Sequence, residues 1–230
     1  MYNKINIFLP TYKRVNNGKL PLFIESIKET VSNTENIMVS FLVNSNDVDT
    51  IDYIKKITEL KYHVLYENEI EPHLARFYNY LYEATPYKDS LVTMLGDDMI
   101  FITKNWDSII LNEINKMNGF GFVWCNDLNQ KEKLPVNLFT TREFVTATKH
   151  PFMCETFASY FIDTIWERLR KYGKYLNDVI IQHKHYTLTQ KKDSTSLRLD
   201  NVKMDFKKAY KIVDSYSNKI IKNLEAYRAV

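Results

Sequence analysis

Residues 91–95 read LVTML and stop abruptly at Gly96-Asp97-Asp98. A short run that is almost entirely apolar, with no polar alternation, is a strand buried on both faces. Such a strand needs helices on either side, and the preceding chain offers them in alternation with further strands. Residues 5–9 (INIFL, closed by Pro10), 37–43 (IMVSFLV) and 62–66 (YHVLY) are β-branched or aromatic runs of strand length. Between them, residues 20–31 place Phe23, Ile24, Ile27 and Val31 at helical spacing with Pro21 in the first turn, and 48–60 read as a second helix. A third helix starts at Glu71, near Pro72, and sets Leu74, Phe77, Tyr78, Leu81 and Tyr82 on one face. Four strands separated by three helices predict an α/β fold with a mostly parallel central sheet flanked by helices.

The second half is less regular. Residues 108–117 read as a helix capped by Asp107, 120–125 as a short strand and 126–150 as a polar loop. Phe157, Phe161, Ile165 and Leu169 repeat every four residues in a helix closed by Gly173, and 179–186 form a late strand. From Phe206 to Tyr227 the apolar positions step by four and three, an amphipathic C-terminal helix. The expected organisation is one domain over 1–200 and this basic helix over 201–230, packed on or beside it, in cis or across a dimer.

Composition removes several function classes. Five glycines leave no phosphate-binding P-loop, and Gly119-Phe120-Gly121, the one G-x-G, lacks the third glycine of a dinucleotide fingerprint. Two cysteines, Cys125 and Cys154, make neither a zinc array nor a disulfide framework and read as inert core residues. No secretory leader and no membrane-spanning run is visible, so a reducing cytoplasm is the expected compartment. The net charge of +3 is too small to argue for nucleic acid alone. The tail over 203–228 nevertheless holds seven basic and three acidic residues, either a solvated helix face or a strip facing phosphates or a membrane surface.

The chemistry points to Asp97 and Asp98. Open α/β sheets bind ligands beyond the carboxyl ends of their strands. Two adjacent carboxylates there call for a positive partner, and a divalent cation shared with phosphate oxygens is the natural one; an Asp-rich turn is the plain alternative. A GDD also marks the metal hairpin of template-directed polymerases, but that needs a second acidic motif and a longer chain. His183 and His185 lie two apart on a strand, hence on one face, an arrangement suited to a metal or phosphates. Trp106 reads as a core anchor before a substrate platform.

Residues 5–14 (INIFLPTYKR), 73–79 (HLARFYN), 95–101 (LGDDMIF) followed by Asn105-Trp106-Asp107, 161–164 (FIDT) and 179–185 (VIIQHKH) come in an order and spacing that resembles GT-A fold glycosyltransferases, above all the large inverting family two. The resemblance spans roughly 5–195 and implies a Rossmann-like GT-A domain. It implies that Thr11, Tyr12 and Arg14, with Asn44 and Asp47 of the next turn, hold a nucleoside, and that Arg76 lies near the nucleotide. Asp98, with Asp97 beside it and His183 and His185 nearby, would hold Mn or Mg against the diphosphate of a nucleotide-sugar donor, a UDP-sugar by family habit. Asp163 would be the catalytic base. The sequence departs from the pattern at Gly96, where the family has the first Asp of D-x-D, and at Ile162, where it has Glu. The implied reaction is metal-dependent inverting transfer to a hydroxyl of a glycan, a carrier-linked acceptor or a hydroxylated nucleic-acid base. The loop over 126–150 would line the acceptor side through Thr140, Thr141 and Arg142, with Asp193 closing over the site. The competing reading is a non-catalytic nucleotide- or nucleic-acid-binding module on the same fold, using Lys207, Lys208 and Lys211. A nucleotidyltransferase lacks its glycine-rich loop here.

Overall fold

The apolar runs of the first half form four mutually parallel strands: β1 (Ile5–Thr11), β2 (Ile37–Asn44), β3 (Lys61–Glu67) and β4 (Leu91–Met94). The computed structural model describes residues 1–68, 74–85, 89–149, 162–184 and 206–229, without the side chains of 162, 163 and 206–209. Helices α1 (Lys19–Thr30), α2 (Val48–Ile54) and α3 (Leu74–Ala84) connect the parallel strands. β5 (Met99–Phe101), α4 (Trp106–Lys116), β6 (Phe122–Asn126), β7 (Leu138–Thr140), α5 (Arg142–Ala147), α6 (Ile162–Arg168), β8 (Gly173–His183) and α7 (Phe206–Arg228) follow. The strand order is β3-β2-β1-β4-β7-β6-β8-β5, with β7 antiparallel to both its neighbours and β5 antiparallel to β8. The sheet is thus mixed but mostly parallel, and β6 and β8 run in the same direction as β4.

Both faces of the sheet are covered, as the apolar strands require. Ile5, Ile7 and Leu9 pack with Phe23 and Ile27 of α1 and with Trp106 and Ile110 of α4 on one face. Phe8, Val92 and Met94 pack with Tyr78 and Leu81 of α3 on the other, where Phe122, Trp124, Phe144 and Trp166 extend the core to α7. Helix α7 buries Val213, Ser217, Ile220 and Leu224, stacks Tyr227 on Phe120 at 5.5 Å, and bonds Asn223 to the Thr148 carbonyl at 2.7 Å. Its Asp214 and Glu225 pair with Arg168 and Lys171 of the same chain, and Lys211 faces solvent. Among the described residues no helix is long and apolar enough to cross a membrane.

Several expectations change. The second helix ends at Ile54 rather than residue 60. The polar stretch over 126–150 contains β7 and α5. Gly173 closes the short 3-10 turn Arg170–Tyr172 that follows α6, its N–H donating to the Arg170 carbonyl, and it also opens β8, where a Cβ would meet the Phe122 ring at 2.6 Å. Asp107 is not a cap, because α4 begins one residue before it, at Trp106. Its fully buried carboxylate instead accepts the Ser32 N–H at 2.8 Å and the Ser32 hydroxyl at 2.6 Å, tying α4 to the end of α1. Trp106 is a core anchor, fully buried and 4.4 Å from the Phe101 ring.

Candidate functional site

Because β1, β2, β4, β6 and β8 run the same way, their carboxyl ends share one edge of the sheet. Five of the expected positions, Thr11, Arg14, Asp97, Asp98 and His183, meet there. The Thr11 hydroxyl donates to Asp97 Oδ2 at 2.9 Å, and Arg14 Nε stands 3.4 Å from Asp97 Oδ1. Lys13 between them has a φ of 55°, a left-handed conformation unusual for lysine, and its N–H donates to Asp47 at 2.6 Å. That twist turns Arg14 back over the end of β4. Tyr78 of α3 donates its hydroxyl to the Leu95 carbonyl at 3.0 Å and fixes the same strand end from the other face.

The two neighbouring carboxylates differ in state. Burial pushes Asp97 up to about 6, helped by the Asp98 charge and opposed by Arg14, Thr11 and Lys19. Burial also acts against the Asp98 anion, but the hydrogen bond and charge of His183, the Lys19 charge and its own N–H outweigh it and hold Asp98 below the usual carboxylate range. His183 Nε2 lies 3.5 Å from Asp98 Oδ1, brought there by the pairing of Met99 with His183 and by the Lys184 N–H bonding the Asp98 carbonyl at 2.9 Å. Gly96 has a steric reason: a Cβ there would stand 2.7 Å from Asp98 Oδ1. The departure from D-x-D thus makes room for the carboxylate that meets the histidine.

Beside this cluster, a cleft of about 450 Å³ opens between the loop after β1 and the turn after β2. Lys13, Val15, Asn16, Asn46, Asp47 and Thr50 are among its walls. Asp47 is buried, capping α2 through the Thr50 N–H and holding Lys13, while the Thr50 hydroxyl is buried without a hydrogen-bond partner. Tyr12 is exposed with Lys13 Nζ 5.0 Å from its ring centre, Asn44 accepts the Asn46 N–H at 3.1 Å at the end of β2, and Arg76 is exposed on α3. Thr11 and Arg14 therefore face the carboxylates, and the cleft is walled mainly by their neighbours.

Other expected positions do not join the site. Thr140, Thr141 and Arg142 lie at the opposite edge, because β7 runs antiparallel to β4 and delivers its end beside Val92. Thr141 caps α5 there, and Arg142 bonds the Tyr82 carbonyl at 2.9 Å. Asp163 is the second residue of α6, with its side chain outside the described residues; His185, Asp193 and Cys154 lie outside them too, as do the side chains of Lys207 and Lys208. Cys125 is buried, and burial pushes its thiol up. Among the described residues no group of three or more His, Cys, Asp or Glu could hold a metal ion. Among the described residues Asp98 and His183 form a two-donor set. Sequence reasoning missed Lys19, whose charge acts on both carboxylates, and Asp127, which follows β6 at the same edge. Asp127 carried the signal that revealed Asp97: an acid placed directly after an apolar strand.

Strand order, helical layers and this carboxylate-bearing edge together define the GT-A glycosyltransferase fold. Among solved structures, S. aureus TarS 1-349 in complex with UDP-GlcNAc is similar at TM-score 0.61 and 12% identity, over 94% of this chain and 72% of that one. S. aureus TarS 1-349 in complex with UDP is similar at TM-score 0.61 and 10% identity, over 77% and 59%. A further crystal structure of S. aureus TarS is similar at TM-score 0.59 and 10% identity over 77% of this chain, which spans 36% of that one. At such identities the likeness establishes the fold. No protein-family model and no curated protein matches the sequence.

Proposed function

We propose that the protein is a metal-dependent inverting glycosyltransferase that moves a sugar from a UDP-sugar to a hydroxyl of a glycan or carrier-linked acceptor. The observation that carries this reading is the meeting of Thr11, Arg14 and Asp97 with Asp98 and His183 at one sheet edge, beside an open cleft. The UDP and UDP-GlcNAc complexes of TarS support the choice of donor. The nucleoside occupies the cleft, where the Thr50 hydroxyl offers an unused hydrogen bond. Arg14 and Lys19 bring positive charge to the side where the diphosphate lies, and Asp97 holds Arg14 in place. Asp98 and His183 offer one carboxylate and one imidazole, donors that Mn or Mg accepts alongside diphosphate oxygens. A cation held by Asp98 and His183 would supply compensation for the charge building on the leaving diphosphate. Asp163, at the start of α6, takes the proton of the acceptor hydroxyl as it attacks the anomeric carbon, and a single displacement inverts that centre.

The test is melting temperature against nucleoside diphosphates and their sugars, with and without Mn, for the wild type and Asp98→Asn. A ligand at a hundred times its dissociation constant adds about 2.7 kcal/mol, a rise of roughly 5–10 °C for a chain of this size. UDP and UDP-GlcNAc are expected to give this rise in a Mn-dependent manner that Asp98→Asn loses. No shift with any nucleotide, together with metal-independent and steeply salt-sensitive binding of nucleic acid through Lys207, Lys208 and Lys211, would establish the non-catalytic module instead.

A further inference from the structure

Asp127 is 1% exposed, and its two oxygens are treated differently by the fold. Oδ1 accepts the N–H groups of Asn129, Gln130 and Lys131 at 3.1, 2.8 and 2.7 Å, which fixes the carboxylate plane. Oδ2 is buried without a hydrogen-bond partner. Buried polar atoms in folded proteins are almost always satisfied, so an orphan needs a reason. The turn does not supply one: asparagine would close it equally well through one amide oxygen.

A second orphan stands near it. Tyr175 lies opposite Trp124 in the pairing of β6 with β8, with ring centres 5.7 Å apart, and its hydroxyl is likewise buried without a partner. Burial raises the Tyr175 hydroxyl above its ordinary range, and the Asp127 charge adds to the shift, so the two groups feel one another. The corner they form adjoins the site already described, because the His183 N–H donates to the Asp127 carbonyl at 3.2 Å. Across the sheet, the nucleoside cleft lies at β1 and β2, the paired carboxylates follow β4, and Asp127 follows β6. On the glycosyltransferase reading above, the corner lies beyond the diphosphate from the nucleoside, on the side of the sugar ends. Among the described residues Asp127 does not combine with Asp98 and His183 into a metal-holding group. Its spare oxygen is then matched by a hydrogen-bond donor. A carboxylate oxygen that only accepts, beside a phenol that donates or accepts, is complementary to a sugar hydroxyl.

We propose that Asp127 Oδ2 and the Tyr175 hydroxyl form a binding subsite for a sugar hydroxyl at the reacting end of the donor, an assignment that rests on the glycosyltransferase reading above. The hydroxyl belongs to the transferred sugar or to the acceptor, and the chemistry is the same for both. Asp127→Asn keeps the acceptor that closes the turn and changes only the spare position; Tyr175→Phe removes only the phenol oxygen.

Both variants of the full chain are compared with the wild type in UDP affinity, UDP-GlcNAc affinity, and transfer from UDP-GlcNAc to free N-acetylglucosamine as probe acceptor, with UDP release to water as the background. UDP affinity is expected to stay within about twofold. A loss of roughly 10- to 100-fold in UDP-GlcNAc affinity assigns the hydroxyl to the transferred sugar. The same loss confined to transfer to N-acetylglucosamine, with UDP-GlcNAc affinity intact, assigns it to the acceptor. Wild-type behaviour of both variants in every arm overturns the subsite while leaving the donor reading standing. A wild type that binds neither UDP nor UDP-GlcNAc overturns the glycosyltransferase reading and the subsite with it. Tyr175→Phe decides the matter should Asp127→Asn fold poorly.

Discussion

The protonation of Asp97 is readable as stability. In the folded chain its carboxyl titrates at about 6, against 3.8 for the unperturbed group, because it is buried. Between those values the folded state holds a proton that the unfolded chain has released. Stability from this group is therefore fully present below about pH 4 and is lost as pH rises through about 6. The gap between 3.8 and about 6 makes the loss about 3 kcal/mol. Asp97→Asn removes the titration. It also takes the charged partner from Arg14, but that charge exists only once Asp97 ionises, so its effect is already contained in the titration at about 6. The assay is urea denaturation of wild type and variant from about pH 4 to about pH 7.5. The stability of Asp97→Asn relative to wild type should climb by about 3 kcal/mol across this range and level off above pH 6.5. A flat difference, or one that falls, would mean that Arg14 and Thr11 outweigh burial, and the reasoning would be wrong.

Two further outcomes follow from particular contacts. Gly96→Ala places a Cβ 2.7 Å from Asp98 Oδ1 and should push that carboxylate off His183; Mn titration in the presence of UDP is expected to show affinity weakened roughly 10- to 100-fold with the fold intact. Ser32→Ala removes the 2.6 Å bond to the buried Asp107 carboxylate; denaturation should show a loss of about 1–3 kcal/mol, with UDP affinity unchanged because Asp107 ties α1 to α4 and is not part of the site.

The first half of the fold was legible because its signals are local. Strands of seven or eight residues and helices with a clear apolar stripe carry their period in the sequence, as β1, β2 and α3 do. β5 and β7, three residues each, are too short to show any period, and the reversed direction of β7 is set by partners distant in the chain. That reversal is what removes Thr140, Thr141 and Arg142 from the acceptor side. In the site, Asp97 and Asp98 stood out because acids rarely follow an apolar strand without purpose. The inward turn of Arg14 did not, since it depends on the left-handed Lys13 and on Asp47, thirty-four residues away. Asp127 did not stand out, because the run of polar residues after it made the end of β6 read as the opening of a loop.

Residues 95–98 do more than present carboxylates. They join β4, in the middle of the sheet, to β5, four places away at its rim. From Met94 to Met99 the chain reaches at most about 18 Å, while four strand spacings on a flat sheet need about 19 Å. The sheet must curl to bring its rim back, and the Gly96-Asp97-Asp98 turn is the buckle that draws it round. The curl of the sheet and the geometry of the carboxylate edge are thus coupled: a displacement of the rim at β5 and β8 bears directly on the contact of Asp98 with His183.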